Sequence, residues 1–270
     1  MKYKYLQIII DLKPQIIIYF KSERTVYNLS SRDPFAYLQR SYDNMRSETK
    51  DKVGVKYFTW SAWYSSMIDF VRHIHKELPK EHWDKSLLLN RLMEFYKLLL
   101  LLQELTFMGY YHSTIRELRY ILESSLQSYY LDTRTKFSLN RKVERARNLY
   151  GVRNIQGVKI LVGRLGMRED VKDKIISLLD LLSDLLHPSD EEMLKVYRNV
   201  LQQVTFNFNN ELFNQCVTHT NKVFDVVLLL TIGEFNTLKK TIKKDDILMR
   251  WIKLSKCEFT LSSLEWERLS

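Results

Sequence analysis

The sequence predicts a mainly α-helical protein, built as a single helical bundle with a small N-terminal β hairpin or ribbon. Only 7 glycines and 4 prolines occur among the 270 residues. Because these two residues are the usual breakers of helices, their scarcity favours long, uninterrupted helices. Hydrophobic residues make up 45% of the chain and charged residues 27%, which is typical of a folded globular protein and not of a disordered one.

β-branched and aromatic residues are concentrated near the start of the chain, in the runs 8–10, 16–20 and 25–27. Such residues favour strands, and Pro14 lies between the first two runs, where a turn is expected. An isolated hairpin is only marginally stable in water. We therefore predict a β-rich segment at 1–30 that packs on the helices.

Helical patterns begin at Asp33 and Pro34, where the aspartate can cap a helix and the proline can take its first position. The spacing of apolar residues predicts further helices at about 56–78, 84–108, 111–132, 138–150, 168–187, 190–206 and 209–242. No internal repeat or low-complexity linker divides this array. We expect one helical bundle over 31–245 and a C-terminal helical extension over 246–270.

Several classes of protein and site are disfavoured. The chain has only two cysteines, Cys216 and Cys257, so a disulfide framework is not expected. Its apolar runs are shorter than the roughly 20 residues that cross a bilayer, so we expect a cytoplasmic protein without a membrane span. No phosphate loop, dinucleotide motif or set of metal ligands is recognisable, so we expect neither a cofactor nor a metal.

The charge of the chain favours polyanions as partners, because its formal net charge is +10 at pH 7. Ten Lys or Arg residues and a single acid, Glu144, lie within 134–168, and an acidic stretch follows at 169–192. In one interpretation, the basic stretch is a groove that binds nucleic acid. Its candidate contact residues are Arg141, Lys142, Arg145, Arg147 and Arg153. In the other, the basic and acidic stretches pair with each other or form solvated helix faces.

A charged residue interrupts the apolar stripe of the helix predicted at 111–132. On a helical wheel Arg119 falls inside that stripe, and Glu123, one turn later, is its obvious counter-ion. A half-buried arginine of this kind indicates either a site or a structural salt bridge within the bundle, and both interpretations remain open.

A histidine ends the helix predicted at 168–187, where Ser183 lies one turn before His187 and Pro188 stops the helix. A helix C-terminus favours the charged imidazolium, so one interpretation is a capping histidine. The alternative is a titrating group that faces the preceding charged pair and acts as an acid or a base near neutral pH. The candidate catalytic residues are therefore Arg119, Glu123 and His187.

Two short motifs carry a resemblance to a known class of proteins. They are Gly109-Tyr110 ahead of Arg119-x-x-x-Glu123, and Leu182-Ser183-x-x-x-His187-Pro188-Ser189. Over about 84–244 the chain resembles uncharacterised prokaryotic helical-bundle proteins, which are similar to the HEPN class of small helical domains. Many members of that class bind nucleotides or cleave RNA.

This sequence departs from the HEPN ribonucleases in one respect. Active members carry an arginine a few residues before the histidine, whereas Leu182, Leu181 and Asp180 stand at those positions before His187. The resemblance therefore implies a helical fold and contact with RNA or nucleotides, without the ribonuclease motif at His187.

Two functions follow from the sequence as expectations. The first is a HEPN-like helical protein that contacts RNA or another polyanion in prokaryotic defence or regulation. The second is a non-catalytic interaction or scaffold protein that acts as a homo-oligomer or binds a protein partner. The sequence does not decide whether the protein is an enzyme but favours a protein that is not one; an enzyme would perform RNA or nucleotide chemistry.

Overall fold

The structure is a computed structural model that describes residues 7–10, 15–20, 23–28, 34–149, 155–186 and 208–235, together with 238, 249, 252, 253 and 258–260. These residues are mainly helical, which confirms the predicted class. The helices are α1 Pro34–Val53, α2 Val55–Glu77, α3 Lys80–Trp83, α4 Leu87–Phe107, α5 Tyr111–Arg134, α6 Leu139–Leu149, α7 Ile155–Gly163, α8 Glu169–Leu186 and α9 Asn210–Glu234.

Near the N-terminus the backbone forms three short antiparallel strands in the order β1-β2-β3. They are β1 Gln7–Ile10, β2 Gln15–Phe20 and β3 Glu23–Asn28. In the register, Ile8 pairs with Ile18 and Ile17 pairs with Val26. The side chains of these strands are outside the described part of the structure, so the packing of a β ribbon on the bundle stays a prediction.

The central helix of the bundle is α5, which packs against α4, α8 and α9. Its fully buried apolar residues are spaced three or four positions apart, as expected for a helix that buries one wide face. They are Leu118, Ile121, Leu122 and Leu126. Phe95 of α4 and Phe213 of α9 belong to the same hydrophobic core. This position leaves α5 in contact with most of the elements that form the candidate sites.

The predicted and observed helices agree best where the apolar periodicity is long, as in α2, α5 and α8. Helix α4 begins at Leu87 because the Ser86 side chain caps it by accepting a hydrogen bond from Leu89. The helix predicted at 209–242 was wrong at its end, since α9 stops at Glu234 and Phe235 leaves the helical conformation. Helix α7 was not predicted, and the helix predicted at 190–206 lies outside the described residues.

The first turn of α4 is fixed by an aspartate of α5. The Asp132 carboxylate accepts hydrogen bonds from the backbone N–H groups of Leu87 at 3.0 Å and Leu88 at 2.8 Å. It also accepts one from the Ser86 hydroxyl at 3.0 Å. A helix N-terminus has unpaired N–H groups and partial positive charge, and a carboxylate placed there stabilises both.

Lys142 of α6 completes this arrangement. Its ammonium lies 2.7 Å from the Asp132 carboxylate and donates a hydrogen bond to the Lys85 carbonyl at 2.8 Å. The Lys142 and Asp132 side chains are only 7% and 2% exposed. One buried carboxylate therefore joins α4, α5 and α6, and we call this the Asp132 junction (Ser86, Leu87, Leu88, Asp132 and Lys142).

A second carboxyl group, that of Glu234 at the end of α9, lies beside the Asp132 junction. Burial and the neighbouring Asp132 carboxylate raise the pKa of Glu234 to about 8. Glu234 Oε2 is buried and has no hydrogen-bond partner among the described residues. Because Glu234 is largely protonated at neutral pH, the junction does not place two carboxylate charges against one ammonium.

Asp225, in the middle of α9, holds part of the C-terminal segment. Its carboxylate accepts hydrogen bonds from the backbone N–H groups of Phe259 at 2.9 Å and Thr260 at 3.0 Å. The Thr260 hydroxyl donates a third bond at 2.6 Å. Ile252 is buried in the same core as α9. These contacts place the described residues of the predicted C-terminal extension against the bundle.

The Asp132 junction predicts the effect of Asp132→Asn on stability. The change removes the counter-ion of a buried ammonium and the charged acceptor at the start of α4, so we expect the free energy of unfolding to fall by about 3 kcal/mol. Urea unfolding followed by circular dichroism measures this loss. Asp69→Asn is the matched control, because Asp69 forms an exposed pair with Arg72 that contributes at most about 1 kcal/mol. Equal effects of the two changes would contradict the role of the junction.

Asp225 predicts a pH dependence of stability. Burial raises the pKa of Asp225 to about 6, above the value of about 3.9 in an unfolded chain. The folded state therefore binds more protons than the unfolded state between about pH 4 and pH 6, and the free energy of unfolding falls as the pH rises through that window. A shift of about two pKa units corresponds to roughly 3 kcal/mol.

Urea unfolding at several pH values, compared with Asp225→Asn, isolates this contribution. The stability of the wild type relative to Asp225→Asn should decrease from about pH 4 to about pH 7 by roughly 3 kcal/mol. Asp173→Asn, at an exposed position of α8, should follow the wild-type curve in parallel. A constant difference between the wild type and Asp225→Asn would contradict the titration of this group.

Candidate functional site

Arg119 and Glu123 form the ion pair that the sequence predicts. Arg119 Nε donates to Glu123 Oε1 at 2.8 Å, and the two side chains are 19% and 22% exposed. Arg119 Nη1 also donates to the Ser183 hydroxyl of α8 at 3.3 Å. Helices α5 and α8 are therefore neighbours, and the arginine connects them.

His187 lies outside the described residues. Helix α8 ends at Leu186, and Ser183 brings the last turn of α8 to Arg119. The chemistry available to the described part of this cluster is limited, because the Arg119 guanidinium is already bonded to a carboxylate and a hydroxyl. This geometry supports the salt bridge within the bundle, and a catalytic role for Arg119, Glu123 and His187 stays a prediction.

A second polar network lies on the α4 side of α5. Tyr120 donates its hydroxyl proton to Glu94 Oε1 at 2.7 Å, and Arg91 Nη1 donates to the Tyr120 hydroxyl at 3.2 Å. Arg91 also forms an ion pair with Glu94. Helix α5 thus takes part in two cation–carboxylate networks, through the Tyr120 hydroxyl toward α4 and through the Arg119–Glu123 pair toward α8.

An exposed cationic feature lies on α6. The Arg141 guanidinium lies 4.3 Å from the ring centroid of Phe137, and that of Arg145 lies 6.0 Å from it. Both arginines are exposed, and neither has an ion-pair partner among the described residues. We call this group the α6 basic surface (Phe137, Arg141 and Arg145). A flat ring below two guanidinium groups orients them while their outward edges remain in water.

The other predicted nucleic-acid contacts have different positions. The prediction that Lys142 contacts nucleic acid was wrong. Lys142 lies on the face of α6 that packs on α4 and α5, so its ammonium is buried against Asp132 and does not belong to an exposed surface. Arg147 is exposed but lies on another flank of α6, as its separation from Arg141 requires. Arg153 is outside the described residues.

Within the described residues, the acids of 169–186 pair with basic residues close to them and not with the α6 basic surface. Lys159 of α7 is 2.6 Å from Asp180, and Lys172 is 2.8 Å from Glu169. Arg168 pairs with Asp170 through two hydrogen bonds. Pairing between the two stretches thus holds for Lys159 and Arg168, while Arg141 and Arg145 remain outside it.

A cleft between α5 and α7 was missed by the sequence analysis. It has a volume of about 130 Å³ and is lined by Gln127 and Tyr130 of α5, by Val158, Ile160 and Leu161 of α7, and by Arg164. The sequence did not reveal this cleft because one of its walls is α7, a helix that was not predicted. Arg134 Nη2 donates to the Arg164 carbonyl at 2.9 Å, which places a second guanidinium beside this cleft.

Metal and thiol chemistry have no support in the described residues. No group of three or more His, Cys, Asp or Glu residues within them is arranged to hold a metal ion. Cys216 is buried, and burial raises the pKa of its thiol to about 12, so the thiol stays protonated. None of the helices that the structure describes is both long and apolar enough to span a bilayer.

Comparison with known proteins gives no match. No protein-family model, curated protein or solved structure matches this chain.

Proposed function

We propose that the protein is a HEPN-like helical protein that binds single-stranded RNA, or another polyanion, through the α6 basic surface. It would act in the cytoplasm, in prokaryotic defence or regulation. The family assignment rests on the Arg119-x-x-x-Glu123 and His187-Pro188 motifs. The observation that carries the binding proposal is the pair of exposed guanidinium groups of Arg141 and Arg145 on Phe137.

The spacing of the two arginines supports contact with consecutive phosphates. Arg141 and Arg145 are one helical turn apart, so their side chains project on the same side of α6. Guanidinium groups donate two parallel hydrogen bonds to a phosphate, and they are hydrated more weakly than ammonium groups. A phosphate therefore displaces little bound water when it reaches them.

Burial of Lys142 strengthens this proposal. The ammonium of Lys142 is used to hold α6 on the bundle through Asp132, so α6 is fixed while its outer face stays cationic. Basic residues on a fixed helix bind a ligand with less loss of conformational entropy than the same residues on a mobile segment.

Charge reversal tests this function. The double change Arg141→Glu and Arg145→Glu should abolish measurable binding of a short single-stranded RNA in fluorescence anisotropy titrations. For the wild type, the logarithm of affinity should fall linearly with the logarithm of salt concentration, by about 0.7 for each phosphate neutralised. The double change Arg141→Gln and Arg145→Gln should reduce that slope by roughly 1.4.

The matched control reverses two exposed lysines elsewhere, Lys97→Glu on α4 and Lys222→Glu on α9. It changes the net charge by the same amount as the arginine reversal. If RNA binding falls equally in both double variants, net charge explains the binding and the α6 basic surface has no special role. A wild type that binds no RNA at low salt would overturn the proposal.

A second candidate function is that of a non-catalytic scaffold protein that forms a homo-oligomer. The observation that favours it is a row of exposed apolar residues on α4, namely Met93, Leu100 and Leu101. Residues seven and eight positions apart lie on the same side of a helix, so the three form one stripe. Exposed apolar stripes are typical of surfaces that bind a protein.

The scaffold function predicts that Leu100→Lys and Leu101→Lys together convert an oligomer into a monomer without unfolding it, because charges cannot be buried in an apolar contact. Light scattering coupled to gel filtration measures the mass. As a control that adds the same charge, Ser177→Lys on α8 and Thr218→Lys on α9, at exposed positions away from the stripe, should leave the mass unchanged. A wild-type monomer at micromolar concentration would contradict this candidate.

A further inference from the structure

The cleft between α5 and α7 combines apolar walls with one buried acceptor. Val158 and Leu161 of α7 are buried, whereas Ile160 at the rim is 58% exposed, which is unusual for a large aliphatic side chain. Gln127 of α5 is only 6% exposed. Its Oε1 is buried and accepts no hydrogen bond from the described residues.

An unpaired buried acceptor destabilises a protein unless a ligand or solvent donates to it. The volume of about 130 Å³ exceeds what a single water molecule needs, so the cleft has room for a small ligand group in place of water. It is also smaller than the roughly 300 Å³ or more of sites that enclose whole drug-sized ligands. A small group with apolar faces and an N–H donor on its edge fits these conditions.

The mouth of the cleft is cationic. The side chains of Arg164 and Arg134 are exposed, and neither forms an ion pair among the described residues. The hydrogen bond from Arg134 Nη2 to the Arg164 carbonyl holds them side by side. A ligand with an apolar heterocycle and a phosphate can therefore place its ring in the cleft and its charge at the mouth.

The cleft lies close to α6. Tyr130 lines the cleft and also packs against a small apolar cluster that includes Ala146 of α6. A strand bound to the outer face of α6 would therefore extend past Tyr130 to reach the cleft. Every nucleobase has apolar faces and at least one N–H group, so it has the chemistry that the cleft requires.

We infer that the cleft lined by Gln127, Tyr130 and Arg164 binds one unstacked base of the RNA strand whose phosphates contact the α6 basic surface. This inference rests on the proposed function. In this arrangement Gln127 Oε1 accepts a hydrogen bond from the base, Val158 and Leu161 contact its faces, and Arg134 and Arg164 bind the flanking phosphate.

The experiment compares a short single-stranded RNA with an abasic strand of the same length, at one salt concentration. The wild type should bind the RNA about tenfold more tightly than the abasic strand, because a bound base typically contributes that much. Gln127→Leu should lower the affinity for RNA about tenfold, to that of the abasic strand, with an unchanged salt slope. Thermal unfolding should show that this variant is at least as stable as the wild type, because it removes an unpaired buried acceptor.

Gln215→Leu on α9 is the matched control. Cys216, its neighbour in sequence, contacts the start of α5 at Tyr111, and Gln127 lies sixteen residues further along that helix, about 24 Å away. This variant should keep the tenfold preference. A strand carrying one photoreactive base should crosslink to α5 and α7 peptides that line the cleft, and crosslinks confined to α6 would overturn the inference.

Two outcomes separate this inference from the function on which it rests. Equal affinity of the wild type for the RNA and the abasic strand overturns the base site and leaves polyanion binding intact, whereas binding of neither strand overturns both. A free nucleoside monophosphate tests the source of the base. If the nucleoside monophosphate displaces RNA no better than inorganic phosphate does, the cleft binds a base only as part of a strand, as we infer. If the monophosphate binds the cleft while the RNA shows no advantage over the abasic strand, the ligand is a free nucleotide and the inference fails.

Discussion

The buried carboxylate of Asp132 is the constraint on which the position of α6, and with it the proposed binding face, depends. It is bonded at once to the first turn of α4, to the Ser86 hydroxyl and to the Lys142 ammonium of α6. α6 has 11 residues, too few to be stable as an isolated helix. Its orientation therefore comes from this junction and from a small apolar contact of Leu139 and Val143 with the core. These two contacts determine which basic side chains of α6 face water.

The same constraint explains why neighbouring cations on α6 have different roles. Lys142 points toward α5 and stabilises the fold, while Arg141 and Arg145 point outward and rest on Phe137. A buried lysine needs a carboxylate to offset its lost hydration, and Asp132 provides it. An exposed arginine needs no such partner, so its guanidinium stays available to a phosphate. Net charge alone does not distinguish these two situations.

Local patterns predicted the features that depend on local geometry. The helix at α5 and the Arg119–Glu123 pair follow from periodicity and from a spacing of four residues, and both are present. Lys142 was assigned to the wrong group because its burial depends on the start of α4, 57 residues from it along the chain. Gln127 was missed for a similar reason: its surroundings come from α7, a helix of 9 residues without a strong sequence signal.

The two halves of α5 contact different helices, and this arrangement bears on the proposed binding of an RNA strand. Around Arg119 and Glu123, the helix is locked to α8 through Ser183. Beyond Gln127, it supports both α6 and α7, and the cleft lies there. A site built on helices held from several sides keeps its polar groups in place before a ligand arrives, which reduces the entropy lost on binding. In the proposed binding, the salt bridge would hold α5 against α8 without contacting the RNA strand itself.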